Sequence, residues 1–259
     1  PKVAQNLALG LLLGLMLGAG QAVLRDTLNT RIRSERDVER VTDRPVLASV
    51  VLDESLDHSE TTGLAPAHSL AGESFRRLRT NLQFLGLDVG QRAIVVTSTV
   101  PGEGKTTTAI NTAVTMAEAG ARVLLIDADL RRPSVAKALR LEDSAGLTTV
   151  VIGRASLDEV VQPVGTNGLD VLTSGPIPPN PSEMLGFDSM QALLAQAARL
   201  YDVVVIDSPP LLPVTDAAVL ARQAAGALVV VGSRIVRRSE LAAALDSLDQ
   251  VDARVLGLV

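Results

Sequence analysis

The sequence lacks several residue types on which whole classes of protein function depend. Its 259 residues contain no cysteine and no tryptophan, two histidines, three phenylalanines and one tyrosine. The absence of cysteine excludes disulfides, thiol catalysis and cysteine-ligated zinc. The histidines, His58 and His68, lie in a polar stretch where we expect no metal site. With so few aromatic side chains, the core must consist of leucine, valine, isoleucine and alanine.

An excess of positive charge is also absent. The sequence has 24 basic and 29 acidic side chains, for a formal net charge of −5. Nucleic acids attract proteins mainly through lysine and arginine at the phosphate backbone. The composition gives no general electrostatic reason for a nucleic-acid partner, and we predict none.

One long apolar run occupies residues 7–24, interrupted only by Gln21. As a helix it would extend about 27 Å at ~1.5 Å per residue, close to the ~30 Å hydrocarbon core of a membrane. Arg25, Arg31 and Arg33 follow it, and basic residues favour the cytoplasmic side. We therefore predict a transmembrane helix at 7–24 that leads into the cytoplasm. A secretory signal peptide and a buried helix of a soluble protein are the alternatives.

Polar residues separate this run from the remainder of the chain. A short helix is predicted after Ser34, which suits an N-cap, and residues 52–70 are turn-rich without periodicity. We expect 1–33 to be the transmembrane and juxtamembrane part, 34–70 a juxtamembrane segment and linker, and 71–259 one α/β domain. The missing initial methionine and the strand-like run at the end predict a fragment of a longer polypeptide.

The most informative motif is TSTVPGEGKTTT at 97–108, which follows the apolar run at 93–96. It is typical of a strand, a glycine-rich turn and a helix, which together present backbone N–H groups and a positive helix end to a polyphosphate. The lysine of such a motif reaches the β and γ phosphates, and the next hydroxyl binds Mg²⁺. Thr99 occupies the place of the usual first glycine. We predict that ATP is bound by Pro101, Gly102, Glu103, Gly104, Lys105, Thr106 and Thr107.

Two further apolar runs end in carboxylates. Residues 123–126 lead into Asp127 and Asp129, and residues 203–206 lead into Asp207. A lone aspartate after a strand is usually a turn former or a cap. Ligands of parallel α/β sheets, however, bind at the carboxyl ends of strands, so these aspartates and the glycine-rich turn should share one cleft. Mg²⁺ combines one or two carboxylates with phosphate and water oxygens. The predicted magnesium ligands are Thr106, Asp127 and Asp207.

Strands and helices alternate along the rest of the sequence. Runs that are apolar at every residue suit strands buried on both faces. The fold class we predict is α/β, a P-loop NTPase with a mainly parallel sheet, helices on both faces and one preceding transmembrane helix. The predicted strands are 93–96, 122–126, 169–173, 203–206, 227–231 and 254–258. The predicted helices are 105–119, 214–224 and 238–249, with helix-rich segments at 133–162 and 181–199.

An amphipathic helix is predicted ahead of the glycine-rich turn, at 72–86. Its apolar residues recur every three to four positions as a core-facing stripe formed by Phe75, Leu78, Leu82 and Leu85. Three charged residues recur every third position on another side: Glu73, Arg76 and Arg79. From spacing alone, a solvent-exposed face with intrahelical ion pairs is the preferred interpretation.

Four motifs together resemble one family. ESFRRLRTN at 73–81, DADLR at 127–131, GPIPPNPSEML at 175–185 and DSPP at 207–210 occur in the order seen in bacterial tyrosine kinases, or BY-kinases. The resemblance covers about residues 70–259, and the N-terminal part resembles polysaccharide co-polymerases, the chain-length determinants. The H-R-D and D-F-G motifs of eukaryotic-type protein kinases are absent from the sequence.

The resemblance implies ATP-dependent autophosphorylation on tyrosine, which regulates capsular or exopolysaccharide biosynthesis and chain length. It implies ATP and Mg²⁺ as cofactors and catalytic roles for Lys105, Asp127, Asp129 and Asp207, with Asp127 as base or metal ligand. It implies a ring-shaped homo-oligomer held through Glu73, Arg76 and Arg79. The expected location is the bacterial inner membrane, with the kinase domain at 71–259 in the cytoplasm beside the polysaccharide polymerisation and export machinery.

The resemblance also implies that the acceptor tyrosines lie in a tail after the last strand, and therefore beyond Val259. Tyr201 is the only tyrosine, and it directly precedes a buried strand. We expect it to pack against a neighbouring helix rather than to accept phosphate. The segment VVGSRIVRRSE at 230–240 departs from the usual phrase of the family, so we assign no adenine contacts there.

Two other functions remain open. A MinD/ParA-like ATPase switch would use water as the nucleophile, but such proteins usually carry a second lysine near the start of the P-loop, and residues 99–103 contain none. A regulator of polysaccharide export that only binds nucleotide would not need Lys105 together with three aspartates. Formation of phosphotyrosine from labelled ATP distinguishes the kinase from both alternatives.

Overall fold

The structure of the chain is a computed structural model that describes residues 2–28, 30–51, 64–66, 68–85 and 92–259. Within 2–28, the surroundings of some side chains are also outside the described set, namely those of residues 4, 8, 9 and 22–28. Most of the predicted linker, residues 52–63, lies outside the described residues.

A seven-stranded sheet forms the centre of the described part of the chain. Its strands are β1 (Ala93–Ser98), β2 (Val123–Asp127), β3 (Gln162–Val164), β4 (Leu169–Leu172), β5 (Val203–Asp207), β6 (Gly226–Val230) and β7 (Val255–Leu258). Their spatial order is β3-β4-β2-β5-β1-β6-β7, and all neighbours are parallel except β3 and β4. The predicted, mainly parallel sheet is confirmed.

Helices cover both faces of this sheet. The described helices are α1 (Val3–Leu28), α2 (Glu35–Glu39), α3 (Leu70–Phe84), α4 (Lys105–Glu118), α5 (Val135–Leu139), α6 (Leu147–Val151), α7 (Leu157–Val160), α8 (Pro181–Leu185), α9 (Asp188–Leu200), α10 (Asp216–Gln223) and α11 (Arg238–Asp249). Successive side chains of a strand point to opposite faces. Ile94 of β1 therefore packs with Phe75 of α3 and Ile110 of α4, whereas the next residue, Val95, belongs to the core cluster that contains Leu245 of α11.

The sheet topology brings the predicted site residues to one edge. β5 lies between β1 and β2, and Asp127 and Asp207 are register partners at the carboxyl ends of β2 and β5. β1 ends at Ser98, where the glycine-rich turn begins. Because these three strands are parallel, the segments that follow them all leave the sheet on the same side.

One strand differs from the prediction. β3 begins at the last residue of the segment 133–162, which we expected to be helix-rich and which contains the three short helices α5, α6 and α7. With three residues, one of them Pro163, β3 is too short to show an alternating pattern and is suited only to a sheet edge. It pairs antiparallel with β4 at the end of the sheet.

Residues 30–48, which we expected to be mainly juxtamembrane segment and linker, pack against the domain. The N–H of Leu47 donates to the carbonyl of Leu258 (2.8 Å), and the N–H of Leu258 donates to the carbonyl of Pro45 (2.9 Å). Ile32 is buried in a core cluster of the domain. The polar composition of the segment concealed this packing, which gives the backbone of the edge strand β7 hydrogen-bond partners.

The helix α1 contains the predicted transmembrane segment, residues 7–24. Among the residues that the structure describes, we find no helix with both the length and the apolar character needed to cross a membrane. The transmembrane prediction is therefore not confirmed. Part of that segment, residues 8, 9 and 22–24, is among those whose side-chain surroundings are not described.

Candidate functional site

The glycine-rich turn connects β1 to α4 with two residues in the left-handed backbone region. Gly102 has φ of 86° and Gly104 has φ of 87°, a conformation that glycine adopts without steric cost. Gly104 is the N-cap of α4, so Lys105 and Thr106 occupy the first helical turn. The N–H groups of a first turn have no partners within the helix and carry its positive dipole end. The turn can therefore offer N–H groups to phosphate oxygens, in agreement with the sequence motif.

Lys105 extends from this helix start toward the aspartates. Its Nζ lies 2.7 Å from Oδ2 of Asp129 and 3.7 Å from Oδ1 of Asp207. Burial acts to lower the pKa of Lys105, but the charges of Asp207 and Asp129 outweigh it, and the pKa is raised above the usual value for lysine. Lys105 therefore stays cationic, as phosphate binding requires.

A hydroxyl and a buried carboxylate meet beside the turn. The Oγ1–H of Thr106 donates to Oδ2 of Asp207 (2.6 Å), and Oγ1 also lies 3.0 Å from Oγ of Ser134. Asp207 is fully buried, and its Oδ1 has no hydrogen-bond partner among the described residues. Burial raises the pKa of Asp207 to about 6. A buried carboxylate oxygen without a hydrogen bond, beside a threonine hydroxyl, fits a divalent cation with hard oxygen ligands.

Asp127 is committed to backbone groups. Its Oδ2 accepts the N–H of Ser134 (3.0 Å) and of Val135 (2.9 Å), and its Oδ1 accepts the N–H of Asp129 (3.2 Å). Burial, followed by the charge of Asp207, raises the pKa of Asp127 to about 7. Among the described residues, no group of three or more histidine, cysteine or acidic side chains is arranged as a metal site. The predicted magnesium ligands are two carboxylates and one hydroxyl, so oxygens of phosphate and water would have to supply the remaining ligands.

An arginine of the DADLR motif forms a network that the sequence did not reveal. Nε and Nη2 of Arg131 donate to the two oxygens of Asp216 at 2.9 and 3.2 Å, and Nη2 also donates to Oγ of Ser182 (2.9 Å). Asp216, in the first turn of α10, is fully buried. The network joins the segments after β2 and β5 to α8. The motif identified Arg131, but no local signal identified the distant Asp216 as its partner.

Glu103 was predicted as part of the nucleotide-binding turn. Its carboxylate accepts two backbone hydrogen bonds, from the N–H of Val100 (2.7 Å) and from the N–H of Gly232 (2.6 Å). Pro101, by contrast, is exposed on the same turn. The turn thus contains one buried acidic side chain, Glu103, which binds two backbone N–H groups.

The three residues of the predicted oligomer contact do not act as one group in the isolated chain. Glu73 and Arg76 pair with each other at 2.8 Å, and both are partly solvent-exposed. Arg79 Nη1 instead donates to the carbonyl of Thr115 on α4 (3.1 Å). Glu73 and Arg76 are accessible to a neighbour, whereas Arg79 binds its own domain.

Tyr201 is packed, as expected from its position. Only 9% of the residue is exposed, and its hydroxyl donates to Oδ2 of Asp170 (2.8 Å). Burial and the neighbouring carboxylate raise the pKa of the phenol. This tyrosine is poorly placed to reach the cleft of another molecule.

Known proteins are similar to this chain over most of its length. A family model described as an AAA domain matches residues 91–251. Tyrosine-protein kinase YwqD of Bacillus subtilis is 44% identical over 191 residues, which cover 74% of this chain and 81% of the relative. Tyrosine-protein kinase etk of Escherichia coli K12 is 32% identical over an alignment that covers 100% of this chain but only 38% of the relative. The solved kinase domain of Escherichia coli tyrosine kinase ETK has a TM-score of 0.83 at 31% identity, over 88% of this chain and 92% of that one.

Proposed function

The chain belongs to the bacterial tyrosine-protein kinases, and on that premise we propose that its P-loop site transfers the γ-phosphoryl group of ATP to a tyrosine hydroxyl. One observation carries this proposal: at the start of a helix, Nζ of Lys105 lies 2.7 Å from a carboxylate oxygen of Asp129 and 3.7 Å from one of Asp207. Cation, carboxylates and helix end are the parts that phosphoryl transfer requires.

Each residue has a proposed role in the transfer. Lys105 and the N–H groups of the turn hold the phosphate oxygens, and Thr106 and Asp207 would hold Mg²⁺. That ion, when bound, neutralises charge that develops on the transferred group. Asp127 orients the tyrosine hydroxyl and accepts its proton, or contributes to the magnesium site, and its raised pKa near neutrality suits a base. Asp129 holds Lys105 in place.

The test measures phosphotyrosine made from labelled ATP and Mg²⁺ on an added tyrosine-containing copolymer. The chain should label the copolymer, and Lys105→Met should remove most of that labelling. Lys137→Met is the matched control because Lys137 is an exposed lysine on α5. Near-normal labelling by Lys105→Met would refute the P-loop assignment. Phosphate release without labelled tyrosine would indicate an ATPase.

We also propose that Glu73, Arg76 and Arg79 contribute to a ring of subunits. The support is the exposure of the Glu73–Arg76 pair and its lack of a partner on another described element. Glu73→Ala with Arg76→Ala should reduce the mass of the oligomer in light scattering and slow phosphorylation between molecules. Arg79 is changed in a separate variant, Arg79→Ala, because it also donates to the carbonyl of Thr115 on α4 and its loss could affect the domain itself. If the first variant has an unchanged mass, Glu73 and Arg76 form a solvent-exposed face and not a subunit contact.

A membrane location is a further proposal. Its support is the surface of α1, where the described apolar side chains are exposed: Val3, Leu7, Leu11, Leu12, Leu13, Leu15, Met16 and Leu17. Contiguous apolar surface in water costs roughly 25 cal/mol per Å² and usually marks an apolar partner. The whole chain should sediment with vesicles and be released by detergent, whereas a chain that begins at residue 30 should stay in solution. Recovery of the whole chain in solution without detergent would count against this proposal.

We propose finally that the kinase acts in the control of capsular or exopolysaccharide production, beside the polymerisation and export machinery. The support is the resemblance of its N-terminal part to polysaccharide co-polymerases, and the proposed division into 1–33, 34–70 and 71–259 follows it. In the host, Lys105→Met should change polysaccharide amount or chain length. Unaltered polysaccharide in cells that contain the variant at normal level would contradict this role.

A further inference from the structure

Glu103 links the glycine-rich turn to another loop. Its Oε2 accepts the N–H of Val100 within the turn, and its Oε1 accepts the N–H of Gly232. Gly232 begins the post-β6 loop, which we define as residues 232–237, between β6 and α11. Because β6 neighbours β1, this loop and the turn leave the sheet side by side. One carboxylate therefore holds two adjacent loops together.

The close fit at Gly232 depends on the absence of a side chain. A Cβ at this position would lie 3.0 Å from Cγ of Glu103 and 2.9 Å from Cδ1 of Ile235. Glu103 is 8% exposed, so water can offer little replacement for the two hydrogen bonds. Its burial raises the pKa of the carboxyl, while the backbone N–H groups oppose that rise.

The post-β6 loop is itself anchored on its far side. The N–H of Ile32 donates to the carbonyl of Val236 (2.9 Å), and the N–H of Arg234 donates to the carbonyl of Ile32 (2.7 Å). Val236 and Ile32 are both buried. The loop is thus a fixed support, and a hydrogen bond to it restrains the turn.

We propose that Glu103 is a positioning residue for nucleotide binding, which holds the phosphate-binding turn in shape by fixing it to Gly232. The inference rests on the nucleotide binding that the proposed function requires. A turn that contains Gly102 and Gly104 has wide conformational freedom, and ordering it on binding costs affinity. Prior restraint by Glu103 reduces that cost. The effect belongs to binding rather than to transfer, because Lys105 and Asp207 are unaltered.

The test is a titration of the whole chain, in detergent, with ADP and Mg²⁺, using a fluorescent ADP analogue as probe. Glu103→Ala should raise the Kd about tenfold, which corresponds to ~1.4 kcal/mol. In the copolymer assay KM for ATP should rise, with kcat changing less than about twofold. Glu103→Gln should recover part of the affinity, because its amide oxygen still accepts one N–H. Glu118→Ala, at the exposed end of α4, is the matched control and should bind as the natural chain does.

A double variant tests whether the effect travels through Gly232. Gly232→Ala should also weaken binding because its Cβ displaces Glu103, and in the Glu103→Ala background it should weaken binding little further. The inference would be overturned if the double variant raised the Kd by the product of the two single increases. It would also be overturned if Glu103→Ala bound ADP as tightly as the unaltered chain. If Glu103→Ala does not fold, Glu103→Gln and Gly232→Ala make the same comparison. A chain that binds ADP but labels no tyrosine would refute the proposed function and leave this inference standing.

Discussion

Buried charge at the ends of the central strands sets the chemistry of single residues. Asp127 and Asp207 lie in an apolar sheet, where burial raises the pKa of each carboxyl to about 7 and about 6. Lys105 stabilises the ionised form of Asp207, and backbone N–H groups stabilise that of Asp127. Burying two carboxylates lowers the free energy of unfolding unless a positive charge or hydrogen bonds compensate for the lost hydration. The two buried carboxylates are therefore stabilised by different partners.

We expect Asp127→Asn and Asp207→Asn each to lower the turnover number by roughly 10²–10³, because each removes a positioned charge at the proposed phosphoryl-transfer site. Asp207→Asn should also raise the Mg²⁺ concentration needed for half-maximal rate. Asp127→Asn should instead alter the pH profile if this residue is the base. Asp158→Asn, on an exposed carboxylate, is the control. Undiminished Mg²⁺-dependent turnover in both site variants would show that the proposed metal site is wrong.

Arg131 is expected to matter for stability through its pairing with buried Asp216. Removing one partner of a buried pair costs ~3–5 kcal/mol, but the Arg131 side chain is 40% exposed, so water replaces part of the pairing. We expect Arg131→Ala to lower the free energy of unfolding by about 2 kcal/mol at neutral pH. Adding Asp216→Asn should recover part of that loss, since no carboxylate is then left unpaired. Urea unfolding measures both, and an additive further loss in the double variant would contradict this account.

At the scale of elements, residues 30–48 serve as a covering segment rather than as a free linker. They give the edge strand β7 backbone partners and bury Ile32 and Leu47 against the domain. The same segment contacts the post-β6 loop, so its attachment supports the nucleotide-binding side of the sheet as well as its edge.

A chain that begins at residue 30 should therefore unfold at a higher temperature than one that begins at residue 64. Within the longer chain, Ile32→Ala should cost ~2–4 kcal/mol, as expected for an isoleucine truncated in a core. Ile152→Ala is the control because Ile152 is 48% exposed. Equal melting temperatures for the two lengths, measured by circular dichroism, would mean that the segment adds no stability.

At the scale of the whole molecule, the fold separates the cleft from the only tyrosine. Tyr201 precedes β5 and therefore lies at the amino end of a strand whose carboxyl end holds Asp207. In a parallel sheet the amino ends of the strands lie at one end of the sheet and the carboxyl ends at the other, so the tyrosine of one chain cannot reach its own cleft.

We accordingly predict that the 259-residue chain binds ADP and Mg²⁺ and labels an added copolymer, yet incorporates little phosphate into itself. Tyr201→Phe should leave phosphotyrosine levels nearly unchanged in any longer polypeptide that contains this domain. It should cost only ~1 kcal/mol of stability, the worth of one hydrogen bond. Loss of the phosphotyrosine signal in Tyr201→Phe, with its melting temperature preserved, would identify Tyr201 as the acceptor.

Much of the fold followed from the sequence because its signals are local. The runs that became β1, β2 and β5 are short and apolar at every residue, a pattern that suits a strand buried on both faces. The glycine-rich turn and the aspartates are each defined by a few consecutive residues. Their meeting at one edge follows from strands being parallel, so the proximity of Lys105, Asp127 and Asp207 could be predicted from the sequence.

Contacts between distant segments could be decided only by the tertiary structure. Nothing near Arg131 points to Asp216, nothing near Glu103 points to Gly232, and the polar segment at 30–48 gives no sign that Leu47 pairs with Leu258. In each case the partners lie far apart in the chain, and their meeting depends on strand order and on which edge remains uncovered. Local patterns determine which elements form and what chemistry they carry, whereas long-range packing decides which backbone and charged groups hold that chemistry in place.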